Sequence, residues 1–238
     1  MSIETKMAWR NIWRNPRRTI LTVCAITFAT VLLVFMLSFQ FGSYETMINT
    51  SVKISTGHLQ IQAEKYQEKK SIRFVIADPR AVADIVSQIP EVSAYTFRGQ
   101  AFSLISSKDR TYGVVVTGID PQKEARVSRI KKLVHTGNFL AAGDVDQALV
   151  GKLLAKNLRV TVGDELTLLG QGRDGSIGAT VVQVKGIFRS GIDEFDRSAM
   201  QIPLSTFQDT FSMEAAVHEV VIIGKSLSDV SKIKAQLK

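Results

Sequence analysis

The sequence predicts an α+β protein: one N-terminal transmembrane helix, then an extracytoplasmic α/β (βαβ-like) domain with an inserted, mostly β subdomain. Three observations predict it. No charged residue occurs from Thr19 to Tyr44, short alternating apolar runs recur after residue 58, and helix-spaced apolar residues with capping signals separate some of those runs. The expected organisation is a basic cytoplasmic segment at 1–18, the transmembrane helix at 19–43, a first α/β portion at 44–119, the β insertion at 120–191 and a second α/β portion at 192–238.

The membrane helix rests on length and flanks. The stretch TILTVCAITFATVLLVFMLSFQF holds about twenty strongly apolar residues, and at about 1.5 Å per residue this crosses a hydrocarbon core of roughly 30 Å. A helix also satisfies its own backbone hydrogen bonds, as lipid requires. A cleavable signal peptide would have a shorter apolar core and a small-x-small site, which the end of the run at Ser38–Phe41 lacks. Five basic residues (Lys6, Arg10, Arg14, Arg17, Arg18) face one acid (Glu4) in the first eighteen positions, leaving half of the net charge of +8 there. Such an excess beside the start of a span keeps the N-terminus cytoplasmic and sends the rest out of the cytoplasm. The expected location is the cell's inner membrane. Thr22, Thr27, Thr30, Cys24, Ala25 and Ala29 make part of the helix small-sided. Such residues either let neighbouring spans approach closely or, for threonine, bond back to their own helix.

Beyond the span, helix is expected to continue over Ile48–Lys53 and to break at Gly57. HLQIQ alternates as a strand, and AEKYQEKKS is a solvated loop or short helix. Asp78-Pro79 forms an N-cap and first turn; Val82, Ile85, Val86 and Ile89 follow at helical spacing, and Pro90 closes the helix. Strands are expected at Ala94–Phe97, Gln100–Ser106 and Tyr112–Ile119, and a short helix around Glu124–Lys131. Turns are expected at His135-Thr136-Gly137, Ala142-Gly143-Asp144 and Val162-Gly163-Asp164. ALVGKLLAKNL passes from strand to helix. ELTLLG and ATVVQVKGIF are strands joined by a glycine-rich loop (Gly170, Gly172, Gly175, Gly178), together suggesting a small twisted sheet or barrel. A strand at Ala199–Ile202, a helix from Leu204 to Phe211, the strand HEVVIIG and a last helix at Ser228–Leu237 complete the chain.

Composition and motifs argue against several functions. Lys and Arg outside the leader are mixed with acids, so the basic balance is no nucleic-acid footprint. Cys24 is the single cysteine, and His58, His135 and His218 stand apart, so no metal-ligand spacing occurs. Ser128-x-x-Lys131 lacks companion motifs. GQGRDGSIG has neither the phosphate-loop pattern nor a dinucleotide fingerprint in its strand-to-helix context. Asp193, Glu194 and Asp196 read as a solvated turn. No catalytic residue, cofactor or metal is expected.

The opening AWRNIWRNPRRTILT resembles the cytoplasmic lead-in of permease subunits of the MacB/LolE/FtsX class of ABC transporters. TGHLQIQ, VVVTGIDP and LVGKLLAKNLRVTVGDELTLL resemble successive parts of that family's extracytoplasmic core, in the right order. VKGIFRSGIDEFDRSAMQIPLSTFQ is similar to the closing segment found in lipoprotein-releasing members. The resemblance implies a permease without its own ATPase activity, partnered by a separate cytoplasmic ABC ATPase and by a second permease copy or a paralogue. The outer domain would act on a lipoprotein, a peptide or a periplasmic partner protein. It places Trp9, Arg10, Asn11, Arg14, Arg17 and Arg18 at the ATPase or at the membrane surface. The family carries three later spans that this stretch does not include, so the expectation is the N-terminal portion of a longer permease. The alternative is an autonomous single-span anchored binding or scaffold protein without an ATPase partner.

Overall fold

The computed structural model describes residues 3–51, 54 and 56–237. It divides into two compact units, one through Thr50 and one from Ser51 onward.

The first unit is two helices, α1 (Ile3–Trp13) and α2 (Pro16–Ser51). Asn15 precedes a proline and so disfavours helical backbone, while Pro16 is pre-set for the first turn of α2. The Thr19 hydroxyl secures the corner by donating to Ile12 O at 2.6 Å. Thr22 and Thr30 donate to Arg18 O and Ile26 O of their own helix, the second of the two readings of these threonines. The apolar portion Pro16–Tyr44 has 29 residues, none buried against the chain. At about 1.5 Å per residue it exceeds the hydrocarbon thickness.

The second unit contains β1 (Leu59–Gln62), α3 (Tyr66–Lys69), α4 (Pro79–Ser87), β2 (Val92–Ser107), β3 (Arg110–Ile119), α5 (Pro121–Val127), α6 (Ile130–Leu133) and β4 (Val134–Gly137). There follow β5 (Gln147–Gly151), α7 (Lys152–Leu158), β6 (Glu165–Gln171), β7 (Ile177–Phe188), α8 (Asp193–Ser198), β8 (Ala199–Pro203), α9 (Leu204–Thr210), β9 (Glu219–Gly224) and α10 (Val230–Gln236). All nine strands join one sheet, ordered β1-β9-β2-β3-β8-β5-β7-β4, with β6 bridging β7 and β2. The path β2-β3-β8-β5-β7-β6 therefore returns to β2 and closes a ring of six strands. Among the described residues, only the β3/β8 and β5/β7 pairings are parallel.

The long β2 makes this closure possible. Along one edge its first half pairs with β9 and its second half with β6, while Arg98–Ser107 pairs with β3 along the other. Ile105, Val114, Val116, Val150, Leu166, Leu168, Val182 and Met200 fill the inside with α7 and α9. The strict alternation of ELTLLG arises from this: Leu166 and Leu168 point into the ring while their neighbours face out. Gly99 and Gly118 are opposite one another on β2 and β3, and Phe207 of α9 lies across both. A Cβ at Gly118 would fall 2.4 Å from Phe207 Cβ. A second cluster packs α4 on β9 and β2 through Ala83, Val86, Phe97, Val220 and Ile222. A third gathers Ile54, Ile119, Ile130, Leu149 and Phe188. Ile54, three residues beyond α2, is 3% exposed, and its carbonyl accepts from Ser128 Oγ at 3.1 Å.

Several sequence expectations change. Ala94–Phe97 and Gln100–Ser106 are one strand, because Arg98 and Gly99 are paired with β3 as well. His135-Thr136-Gly137 belongs to β4, with Thr136 opposite Ile187; the strand ends at Gly137, whose φ of +76° is the left-handed conformation glycine supplies. The acidic triplet is the short helix α8. Asp196 is 2% exposed because its carboxylate accepts the Ser190 backbone N–H at 2.8 Å, so it closes a loop where a solvated turn was expected. The expected helix through Lys53 is present to Ser51 and thereafter lies outside the described residues.

Candidate functional site

Each of the six amino-terminal candidates is exposed. Trp9, Arg10 and Asn11 lie on α1, Arg14 in the corner, and Arg17 and Arg18 in the first turn of α2. Asn11 O accepts the Arg14 backbone N–H at 3.3 Å, so the segment is one folded corner. Trp9 and Trp13, one turn apart, meet edge to face at 6.2 Å. Trp13 was not singled out from sequence, although a second tryptophan four residues on was the available signal. Exposed tryptophans just before an apolar helix match the aromatic belts of membrane interfaces. Arg17 and Arg18 oppose the positive end of the α2 dipole, which disfavours cations in a first turn. Helix stability therefore does not account for them.

In the outer unit, the densest polar chemistry is buried where β2, β9, α3 and α5 meet. Arg98 grips Glu124 by two parallel hydrogen bonds, Nη2 to Oε1 at 2.6 Å and Nε to Oε2 at 3.1 Å. Their side chains are 5% and 0% exposed. Glu219 accepts from Gln62 Nε2 at 2.8 Å and Gln100 Nε2 at 3.2 Å. Burial holds its carboxyl above the usual carboxylate range despite the nearby Arg98 and Lys70. His218 Nδ1 accepts the Gln100 backbone N–H at 2.9 Å, so its Nε2–H donates to Ile72 O at 3.1 Å. Burial pulls its pKa down to about 4, so the ring is neutral near pH 7. Tyr66 stacks on that ring at 5.0 Å, and its phenol is pushed up by burial and then by Glu219.

These partnerships are structural. The imidazole uses both nitrogens on backbone groups and is wholly buried, so a general base's route to a substrate proton is closed. What the network does is join β2 to β9 and fasten residues 66–72 over them. Sequence reading treated the histidines as isolated and missed Arg98 and Glu124, twenty-six residues apart; an arginine flanked by apolar strand residues was the one available signal. Among the described residues, no group of three or more His, Cys, Asp or Glu could hold a metal ion. The grooves among the described residues are open. One of about 820 Å³ runs between α4 and α5, where Lys123 Nζ sits 4.4 Å from the Phe97 ring centre.

One helix long and apolar enough to cross a membrane is thus followed by a mixed sheet domain. The chain belongs to the MacB-like periplasmic core domain family, whose model matches residues 19–238, from the apolar helix through the sheet domain. That family implies an ABC transporter served by an ATPase that this permease-type domain does not itself contain. Among solved structures, the chain is similar to the extracellular domain of the noncanonic ABC-type transporter YknZ from Gram-positive bacteria. The identity is 12%, the TM-score 0.53, and the match covers 73% of the present chain and 86% of that one. It is also similar to the periplasmic region of MacB from Actinobacillus actinomycetemcomitans, at 13% identity and a TM-score of 0.53, covering 74% and 78% of the two chains. At these identities the likeness is one of fold. A search among curated proteins gives no match.

Proposed function

We propose that the chain is the first span and outer core of a permease in which a cytoplasmic ATPase moves the outer domain mechanically. On this reading the N-terminus is cytoplasmic and everything after about residue 44 is extracytoplasmic. The observation that carries the proposal is the family match, which runs from the apolar helix through the sheet domain. Within the sheet unit, Ile54 is buried among Ile119, Ile130, Leu149 and Phe188 and is hydrogen-bonded through its carbonyl. The ATPase and the anionic headgroups meet the corner formed by Trp9, Arg10, Asn11, Arg14, Arg17 and Arg18, and a second permease copy or a paralogue completes the transporter. The cargo is an envelope lipoprotein, a reading supported by the similarity of residues 184–208 to lipoprotein-releasing permeases.

The test is co-purification from the native membrane with the complete reading frame. The wild-type protein retains a stoichiometric ATPase. Reversing the charges of Arg10, Arg14, Arg17 and Arg18 removes the ATPase while the chain remains inserted. A wild-type preparation without ATPase would overturn the permease reading and leave an autonomous anchored scaffold. Lipoproteins that still leave the inner membrane normally after depletion of the protein would overturn the cargo.

A further inference from the structure

Four of the seven residues 126–132 are basic (Arg126, Arg129, Lys131 and Lys132), and none is acidic. All four are exposed. They surround the corner where α5 gives way to α6. Val127, Ser128 and Ile130 turn inward there. Ser128 leaves the helix in an extended conformation, accepts the Ile130 N–H through Oγ at 3.1 Å and donates to Ile54 O. The core takes the apolar groups and the hydroxyl of this corner and leaves its cations outside. Among the described residues, none of the four has an ion-pair partner.

Arg126 and Lys131 line one groove of about 760 Å³ together with Ala125, Phe139, Leu140 and Ala142. No acid lines it among the described residues. Asp120 and Asp144 belong to the adjoining groove and are already committed. Asp120 caps α5, accepting from Gln122 N and Lys123 N, while Asp144 holds Lys185 Nζ and the Ala141 N–H. Two unpaired cations beside an apolar wall suit an amphipathic anion. The guanidinium and ammonium take phosphate oxygens, for which arginine offers a two-pronged grip, and the Phe139 and Leu140 side takes hydrocarbon.

We propose that this groove holds the phosphate headgroup of an anionic phospholipid from the outer leaflet of the membrane that carries the chain. Chain length selects lipid over an acidic protein. Leu140, in the groove wall, packs in the same cluster as Ile130 and Ile54. Ten residues lead from Tyr44, where the apolar stretch ends, to Ile54, and seven of them lie in α2. Seven helical residues and three extended ones span about 20 Å at most. The covalent chain therefore keeps headgroups near this corner without recruiting a third component. Each Lys or Arg close to an anionic surface strengthens attachment about fivefold, and here four stand together. The inference goes beyond the proposed function and takes from it only the side of the membrane on which this unit lies.

The experiment uses the complete reading frame, purified and reconstituted in vesicles of equal parts phosphatidylglycerol and phosphatidylcholine. In a Cys24→Ala background, Ala142→Cys in the groove wall carries a benzophenone maleimide. Ile85→Cys on α4, 56% exposed, carries the same label as the control. After irradiation, mass spectrometry identifies what is attached. The expected result at Ala142→Cys is phosphatidylglycerol in about tenfold excess or more over phosphatidylcholine, with no excess at Ile85→Cys. Arg126→Gln with Lys131→Gln should lower the excess about tenfold or more, with protease resistance unchanged. Arg129→Gln with Lys132→Gln, outside the groove, should lower it less. Equal labelling by the two lipids, or an excess that survives Arg126→Gln with Lys131→Gln, overturns the proposal. So does loss of the excess to inorganic phosphate at constant ionic strength, which marks a free-anion site. A polypeptide adduct in place of lipid, when the labelling is repeated in native membranes, also overturns it. The ATPase co-purification is scored on the same protein. ATPase retained without a lipid excess sinks only this inference, and absence of the ATPase sinks the permease reading.

Discussion

The Arg98–Glu124 pair allows a quantitative test of how the outer domain is held together. The perturbation is Glu124→Ala. Glu124 is 0% exposed, Arg98 is 4% exposed, and the two share hydrogen bonds of 2.6 and 3.1 Å. Removing the carboxylate leaves the guanidinium in the interior without its bidentate partner and beside Glu219, which burial already holds toward the protonated form. Breaking such a pair from one side costs about 3–5 kcal/mol, because a buried charge loses its bidentate partner. For a domain near 190 residues, each kcal/mol lowers Tm by roughly 2–4 °C, so a fall of about 6–20 °C is expected. The assay is thermal unfolding of the detergent-solubilised chain, followed by far-ultraviolet circular dichroism in the β region. Both tryptophans lie in α1, so their fluorescence would miss the sheet domain. The double substitution Arg98→Met with Glu124→Leu should recover most of the loss, since similar apolar volume removes the desolvation cost along with the attraction. A Glu124→Ala protein within 1 kcal/mol of wild type, or a double variant no better than the single one, would refute the argument.

Other outcomes follow from single contacts. Gly118→Ala places a methyl against Phe207 and should cost about 1–3 kcal/mol by overpacking, read by urea denaturation; Phe207→Leu in the same chain should restore part of it. Ile54→Ala should lose about 2–4 kcal/mol of outer-domain stability without altering membrane insertion, read by denaturation and alkaline extraction. For His218, the folded pKa of about 4 lies below the ordinary 6.5. The unfolded chain therefore binds the extra proton first as pH falls, and stability should decline from about pH 6.5 to 4 by up to roughly 3 kcal/mol. Glu219, whose carboxyl is raised, contributes with the opposite sign above the ordinary carboxylate range. The measurement is thus the difference between wild type and His218→Gln across that window, which should shrink as pH falls; a parallel pair of curves would contradict it. On the proposed orientation, Arg17→Glu with Arg18→Glu should expose part of the outer domain to the cytoplasm, scored by proteolysis of inverted vesicles.

What could be read from residues alone was what depends on neighbours in the chain. The span needs only a length of apolar side chains, and the Asp78 cap accepts from Arg80 N and Ala81 N within its own first turn. Asp120 does the same for α5, and alternation placed Leu166 and Leu168 on the buried face of β6. The family, too, was legible, through short motifs in a fixed order. Tertiary structure decided the rest, because the deciding partners are far apart in sequence. Ring closure depends on β2 meeting β6 more than sixty residues later. The burial of Arg98 depends on Glu124, twenty-six residues further on, a pairing that no local pattern carries. The outward side of β3, β2, β6 and β7 is the clearest case. Phe102, Leu169 and Ile177 each look like unremarkable outward positions of their own strands, and only the pairing of four strands places them side by side on one uncharged face.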